Sequence, residues 1–305
     1  MKINSIYFLG LGALGAKYAA SLVDYNAGLV KVIVNEERKK RYEAEAVYVN
    51  GKRYDFEYVT SVENQDYPDF IFLVVKSDHL PQAVEDLKPF VGENTMIVSL
   101  MNGITSERVL AETFGWNRVV NAVAYMDAVK QGNQVTYGSI GRIIFGQVNP
   151  SCPERLEALN QLLKDADIPN QLSDDIQKAQ WAKYVVNVVG NQLTYLLEFP
   201  YGQFRTNEYL DRMVDLVGNE VIAVANAHGV SIGQAEIDQL KKTMKIVDEN
   251  GKTSMLQDRE AKRYSEVDEF SGEIIRLGKQ YGIATPYNEL IYNMVKAIEK
   301  TYESK

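Results

Sequence analysis

Lys183, Asn187 and Asn191 stand at i, i+4 and i+8 in the otherwise apolar segment Trp181-Ala-Lys-Tyr-Val-Val-Asn-Val-Val-Gly-Asn191. On an α-helix that spacing places them along one side. Taking an ammonium and two amides out of water is costly unless each group finds a partner. Two arrangements satisfy them: an internal structural network, or a stripe that faces a substrate carboxylate and carbonyl. A second polar cluster follows in Thr253-Ser254-Met-Leu-Gln257-Asp258 and in Ser265-Glu266. Ser254 with Gln257 fits a capping box at a helix start. Glu266 stands four residues after Lys262, the spacing of a solvated ion pair on a helix. Each of these two is as well placed to serve a polar site.

A different kind of chemistry is written near the N-terminus. Gly10, Leu11, Gly12, Ala13, Leu14 and Gly15 follow an apolar run at residues 3–9 and open a helical pattern at 13–26. In that context the first glycine permits a tight turn and the second lets the backbone approach a pyrophosphate. The third allows close contact between helix and strand, and the helix N-terminus attracts the anion. Asn35, about twenty residues on, holds the position that discriminates between the two nicotinamide dinucleotides. A carboxylate there favours NAD, and an arginine favours NADP. Asn35 does neither, and the following Glu36-Glu37-Arg38-Lys39-Lys40-Arg41 pulls both ways. The basic run reads equally well as a solvated helix face.

The elements that must position these groups fall into two sets. Apolar runs at 30–34, 70–75, 96–100, 119–124 and 143–145 alternate with helical patterns at 80–89, 106–114 and 153–166. That alternation predicts a doubly wound parallel sheet of Rossmann type, class α/β. Asn50-Gly51 within Tyr48–Tyr54 predicts a small antiparallel hairpin. From residue 176 the pattern turns to amphipathic helices, at 176–197, 206–228, 233–245, 254–281 and 287–302. Glycine and proline mark the joints at Pro200, Gly202, Gly229, Gly251, Gly282 and Pro286. The expected domains are therefore 1–172, a dinucleotide-binding sheet, and 173–305, an all-α substrate and catalytic domain.

Composition narrows the class further. Hydrophobic residues at 46% and charged residues at 24% suit a soluble enzyme, while a net charge of −8 argues against a nucleic-acid partner. No run of 18 apolar residues exists to span a membrane. Lys2 before an apolar stretch and Ala16-Lys-Tyr-Ala19 imitate a secretory signal, but the glycine loop accounts for the same residues. A lone cysteine, Cys152, allows no internal disulfide and fits the cytoplasm; His79 and His228 offer no metal spacing.

Taken together these segments resemble the ketopantoate reductase family along essentially the whole chain. The marks are the glycine loop, Val75-Lys76, Asn102-Gly103, the Lys183/Asn187/Asn191 stripe, Ser254-Met-Leu-Gln-Asp258 and Ser265-Glu266-Val-Asp268. The loop is shared with many dehydrogenases, whereas the stripe followed by Ser-Met-Leu-Gln-Asp is specific. The resemblance implies that Lys183 is the proton donor and that Asn187, Asn191 and Ser254 bind substrate. It implies that Asn102 touches both cofactor and substrate, and that Glu266 lies near nicotinamide and substrate. Lys76 and the backbone of Ala128 fall on the cofactor side. The implied reaction is reduction of 2-dehydropantoate (ketopantoate) to (R)-pantoate in pantothenate biosynthesis. NADPH is the implied cofactor, with NADH left open, and the assembly allows a homodimer. The chemistry agrees, since hydride transfer to a ketone builds charge on oxygen that a lysine can stabilise and neutralise, and burial lowers its pKa toward the working range.

Two positions depart from the family pattern. Asn35 stands where an arginine commonly reads the NADP phosphate, which puts NADP preference in question. Pro200-Tyr201-Gly202 stands where Pro-Asn-Gly is common, which opens the alternative of a D-2-hydroxy-acid dehydrogenase on the same scaffold. A nucleotide-binding regulatory protein without catalysis would need only the glycine loop, and the retained polar residues argue against it.

Overall fold

The computed structural model describes residues 2–61, 66–126, 128–138, 141–148 and 151–304. They form an N-terminal unit that runs to Ile176 without Asn102–Ile104, and a helical unit of those three residues and the chain from Gln177 onward.

The N-terminal unit alternates strands and helices. In chain order these are β1 (Ile6–Leu9), α1 (Ala13–Tyr25), β2 (Val30–Ile33), α2 (Glu36–Glu45), β3 (Val47–Val49), β4 (Lys52–Tyr54), β5 (Glu57–Val59), β6 (Phe70–Leu73), α3 (Leu80–Leu87), β7 (Met96–Ser99) and α4 (Ser106–Phe114). There follow β8 (Val119–Tyr125), β9 (Ala128–Gln131), β10 (Gln134–Tyr137), β11 (Arg142–Gly146), α5 (Pro153–Asp165) and β12 (Asn170–Leu172). The main sheet has the order β12-β11-β8-β7-β6-β1-β2-β5. All neighbours from β8 to β5 pair in parallel, and β11 runs antiparallel to β8. The apolar run of β1 is needed on both faces. Ile6 and Phe8 enter one core with Ala16, Tyr18 and Leu22 of α1 and Leu159 of α5, whereas Tyr7 and Leu9 enter the other with Leu80 and Leu87 of α3 and Leu110 of α4. A strand covered on both sides loses the polar alternation of a half-exposed one. The strand order reverses between β1 and β6, the switch point where such sheets bind ligands.

The expected hairpin is present. Asn50 and Gly51 both have positive φ, 46° and 80°, as a two-residue turn of type I′ requires. It belongs to a second sheet of order β4-β3-β10-β9, in which β10 pairs parallel to β3 and antiparallel to β9. The two later strands were not expected from the sequence. Lys17 of α1, 1% exposed, is buried in this unit. Its amine lies 4.3 Å from the Tyr18 ring centroid and 5.7 Å from that of Tyr137. It has no hydrogen-bond partner among the described residues. Burial lowers its pKa to about 8.

The helical unit begins with a continuous helical run, α6 (Ile176–Val185), a π-helical turn Val186–Asn191, and α7 (Gln192–Leu197). A 3₁₀ turn at Tyr201–Arg205 leads to α8 (Glu208–Ala227) and α9 (Gln234–Ile246). Then come α10 (Ser254–Glu260), a second π turn at Asp268–Gly272, α11 (Glu273–Tyr281) and α12 (Pro286–Lys300). The single helix expected over 254–281 is therefore interrupted. Lys262 adopts φ +53°, its N–H bonds the Arg259 carbonyl, and the Arg263 N–H bonds the Asp258 carbonyl. That is a Schellman ending with lysine in the place usually held by glycine, so no glycine signals it. Among the described residues no helix is long and apolar enough to cross a membrane.

Candidate functional site

The structure constrains the three loop glycines differently. Gly10 has φ +110°, and a Cβ there would lie 2.2 Å from the Val74 carbonyl oxygen; a Cβ on Gly15 would lie 2.0 Å from the Gly10 carbonyl oxygen. The protein's own backbone excludes a side chain at both. Gly12 caps α1 at φ −66°, which any residue adopts, and nothing lies within 4 Å of a Cβ built on it. Its vacant side-chain position therefore fits a bound phosphate approaching the first turn of α1, a turn without acidic residues. The observed loop suits a dinucleotide.

Around that loop the other cofactor candidates are dispersed. Asn35 is exposed and caps α2, its amide oxygen accepting the Arg38 N–H at 2.8 Å. Lys76, also exposed, begins the short turn Ser77–His79, two residues past the Val74 carbonyl that confines Gly10. Ala128 opens β9. Two residues later Lys130, which sequence reasoning missed, donates its amine to the Leu11 carbonyl inside the glycine loop. Nothing in the local sequence distinguishes that lysine from a solvated one.

In the helical unit three remote segments converge. Lys183 Nζ donates to Asn102 Oδ1 at 3.1 Å, and Asn102 Nδ2 donates to Glu266 Oε2 at 3.0 Å. Further along the same helical run, Asn191 Nδ2 lies 3.4 Å from both Asn187 Oδ1 and Ser254 Oγ. Asn187 and Asn191 are buried, Asn102, Lys183 and Glu266 half-buried, and Ser254 exposed. All six substrate-side candidates thus share this unit, in two groups of three. Burial lowers the Lys183 pKa from 10.5 to about 8, with the charge of Glu266 working in the opposite direction. An ammonium so tuned can give up a proton and regain it near neutral pH.

Two of these groups, Ser254 and Glu266, are placed by the residues beside them. Ser254 does not cap α10. Thr253 does, accepting the Leu256 N–H at 3.2 Å, and its hydroxyl also pairs with that of Thr194 at 2.6 Å. Glu266 does not sit on a helix with Lys262. Its segment is fixed by Glu299 of α12, whose carboxylate accepts both the N–H and the hydroxyl of Ser265, at 2.7 and 2.6 Å. Behind the stripe Gln192 donates to the Ser271 hydroxyl at 2.8 Å, Ser271 donates to Asn288 at 2.8 Å, and Asn288 donates to Glu220 at 2.7 Å. This buried chain joins the run that carries the stripe to the second π turn. Sequence spacing could not reveal it, because its members lie on four separate elements. Among the described residues no group of three or more His, Cys, Asp or Glu could hold a metal ion.

The family model for ketopantoate reductase PanE/ApbA matches residues 6–150, and the model for its C-terminal portion matches residues 175–299. The chain belongs to the ketopantoate reductase PanE/ApbA family. It is therefore an oxidoreductase of a family that uses a nicotinamide cofactor. The 2-dehydropantoate 2-reductase of Aquifex aeolicus is 29% identical, with 97% of each chain covered. A solved 2-dehydropantoate 2-reductase from Geobacter metallireducens superposes with a TM-score of 0.85 at 28% identity, covering 96% of this chain and 99% of that one. A D-mandelate dehydrogenase solved with NADH and anilino(oxo)acetate shares the fold at a TM-score of 0.90 and 23% identity, over 98% and 99% of the two chains.

Proposed function

We propose that this chain reduces a small 2-oxo acid to the 2-hydroxy acid, with ketopantoate as substrate, (R)-pantoate as product and NADPH as cofactor. The observation that supports this most is the Lys183 ammonium, desolvated to a pKa of about 8 and hydrogen-bonded to Asn102, on the same helical run as Asn187 and Asn191. When bound, the reduced nicotinamide would supply the hydride. Lys183 stabilises the oxyanion that develops on the former carbonyl and delivers the proton that completes the alcohol. Glu266 offsets part of that desolvation and so favours the charged form of the amine. Asn187, Asn191 and Ser254 bind the carboxylate and hydroxyl of the substrate, and Asn102 links the lysine to the glutamate. In this reading the N-terminal unit takes the dinucleotide through Gly10–Gly15, Asn35, Lys76 and Ala128, and the enzyme works in the cytoplasm.

One observation favours a second reading of the substrate. Tyr201 replaces the asparagine common in the family, and its ring packs so close to Gly251 that a Cβ there would meet it at 2.8 Å. A bulky aromatic ring in place of an amide would suit a 2-oxo acid with a larger, less polar tail, reduced by a D-2-hydroxy-acid dehydrogenase. A panel of 2-oxo acids assayed with NADPH and NADH in parallel decides between them. Highest kcat/KM on ketopantoate is expected. Preference for an aryl or branched 2-oxo acid would transfer the assignment to the second reading, and no turnover of any 2-oxo acid would overturn both.

A further inference from the structure

Asn35 leaves open how this chain would recognise the extra phosphate of NADP, and the surroundings of Lys130 supply an answer. The amide oxygen of Asn35 is committed to capping α2. Four cations follow it, Arg38, Lys39, Lys40 and Arg41, on a helix that buries none of its residues. Arg38 and Tyr42 lie one turn apart and share a face. The Arg41 guanidinium carbon lies 5.1 Å from the Tyr42 ring centroid, and the Lys130 amine lies 5.6 Å from the same centroid. Tyr42 is itself held by stacking on Tyr58, at 5.5 Å and 21° between planes. Lys130 also donates to the Leu11 carbonyl, so its amine is tied at once to the glycine loop and to the face of α2.

We infer that Lys130, with Arg38, receives the 2′-phosphate of NADP, doing from β9 what an arginine at position 35 would do from the end of β2. The inference rests on the dinucleotide reading of the glycine loop. Its electrostatics are those of an anion site. Burial, and then the charges of Arg41 and Arg38, lower the pKa of Lys130. Among the described residues none of the three cations forms an ion pair with a carboxylate, in a protein whose net charge is −8. A phosphate monoester dianion would relieve that mutual repulsion, with the lysine acting as a point charge and the arginine as a fork.

Calorimetric titration with adenosine 2′,5′-bisphosphate and with adenosine 5′-monophosphate tests the inference without turnover. Wild type should bind the bisphosphate more tightly. Lys130→Gln should weaken it by about tenfold to a hundredfold, the range of one lost charge-assisted hydrogen bond, and leave the monophosphate within about twofold. Lys130→Arg should restore most of the loss. Arg38→Gln, on an exposed side chain that carries no fold, should act in the same direction. Equal weakening of both ligands by Lys130→Gln would show that the lysine only props the glycine loop, and would overturn the inference. So would a wild-type protein that does not prefer the bisphosphate, or a Lys130→Gln protein unchanged toward it. If wild type binds neither adenosine ligand nor NADH, the dinucleotide reading falls, and the inference with it.

Discussion

The glycine loop and the polar cluster around Lys183 are built on opposite principles. The first leaves side chains out, so that a backbone turn and a helix end stay uncovered. The second brings side chains from three distant segments to within hydrogen-bonding distance. One is a local property of six consecutive residues, and the other exists only after the helical unit has folded. That difference decides how each can fail. The loop should lose ligand without losing structure when Gly12 is enlarged, whereas the cluster should lose chemistry while both ligand and fold survive.

The sharpest test of this contrast is Lys183→Ala. If the amine is the general acid, kcat should fall by about 10² to 10⁴ while dinucleotide affinity changes little. An early-melting variant with near-normal turnover would instead make the stripe architecture. Next comes Gly12→Val. Since the space around a Cβ at Gly12 is open, the circular dichroism should stay native while NAD(P)H affinity drops by about tenfold or more. Gly15→Ala, by contrast, should destabilise the fold itself, because its Cβ meets the Gly10 carbonyl at 2.0 Å. Retained affinity in Gly12→Val would remove the ligand from the loop.

A third test uses pH. The acid must be protonated to reduce a ketone, and burial lowers the Lys183 pKa to about 8 in the free protein, so kcat/KM for reduction should be flat below that value. Above it kcat/KM should decline by about tenfold per unit. A profile flat to pH 10 would exclude Lys183 as the titrating acid.

The smallest effect concerns Lys17, a buried cation of the N-terminal unit that serves neither site. Its folded pKa, about 8, lies below its ordinary value of 10.5, so the unfolded chain holds more protons between those values. Stability should therefore rise with pH across that window, and the penalty is fully present below it. Lys17→Met should stabilise the protein at pH 7 by on the order of 1–3 kcal/mol, a few degrees in Tm, with the advantage shrinking toward pH 10.5. A lower Tm would mean that the amine has a structural task.

Much of the fold was legible because it is written in local patterns. The central strands are continuous apolar runs, and the Asn50-Gly51 turn needs two positive φ angles that few residue pairs supply. What escaped lacks such a pattern. The strands β9 and β10 are four residues each, with mixed burial and no apolar run. The break after α10 falls on Lys262, a residue with no marked preference for the left-handed region. The candidate site divides in the same way. Lys183, Asn187 and Asn191 stood out as polar groups on an apolar helix, but Ser254 and Glu266 could be separated from their bland roles only by contacts. A shift of the cap by one residue, to Thr253, frees the Ser254 hydroxyl for Asn191. Gln192, Ser271 and Asn288 escaped because each is an ordinary polar residue until the other two are seen beside it.

The π turn at Val186–Asn191 has a geometric consequence for the stripe. On a regular α-helix each step of four residues advances about 40° beyond a full circle, so three side chains at that spacing drift by about 80° around the axis. A turn closed by i→i+5 bonds holds more residues per revolution and takes back part of that drift. Three groups that a regular helix would splay along a spiral are drawn toward a straight row, and a short linear molecule can be read by a straight row. The wide turn thus acts as a phase correction. A helical wheel drawn at 100° per residue will misplace every side chain beyond Val186 by an amount that grows along the turn.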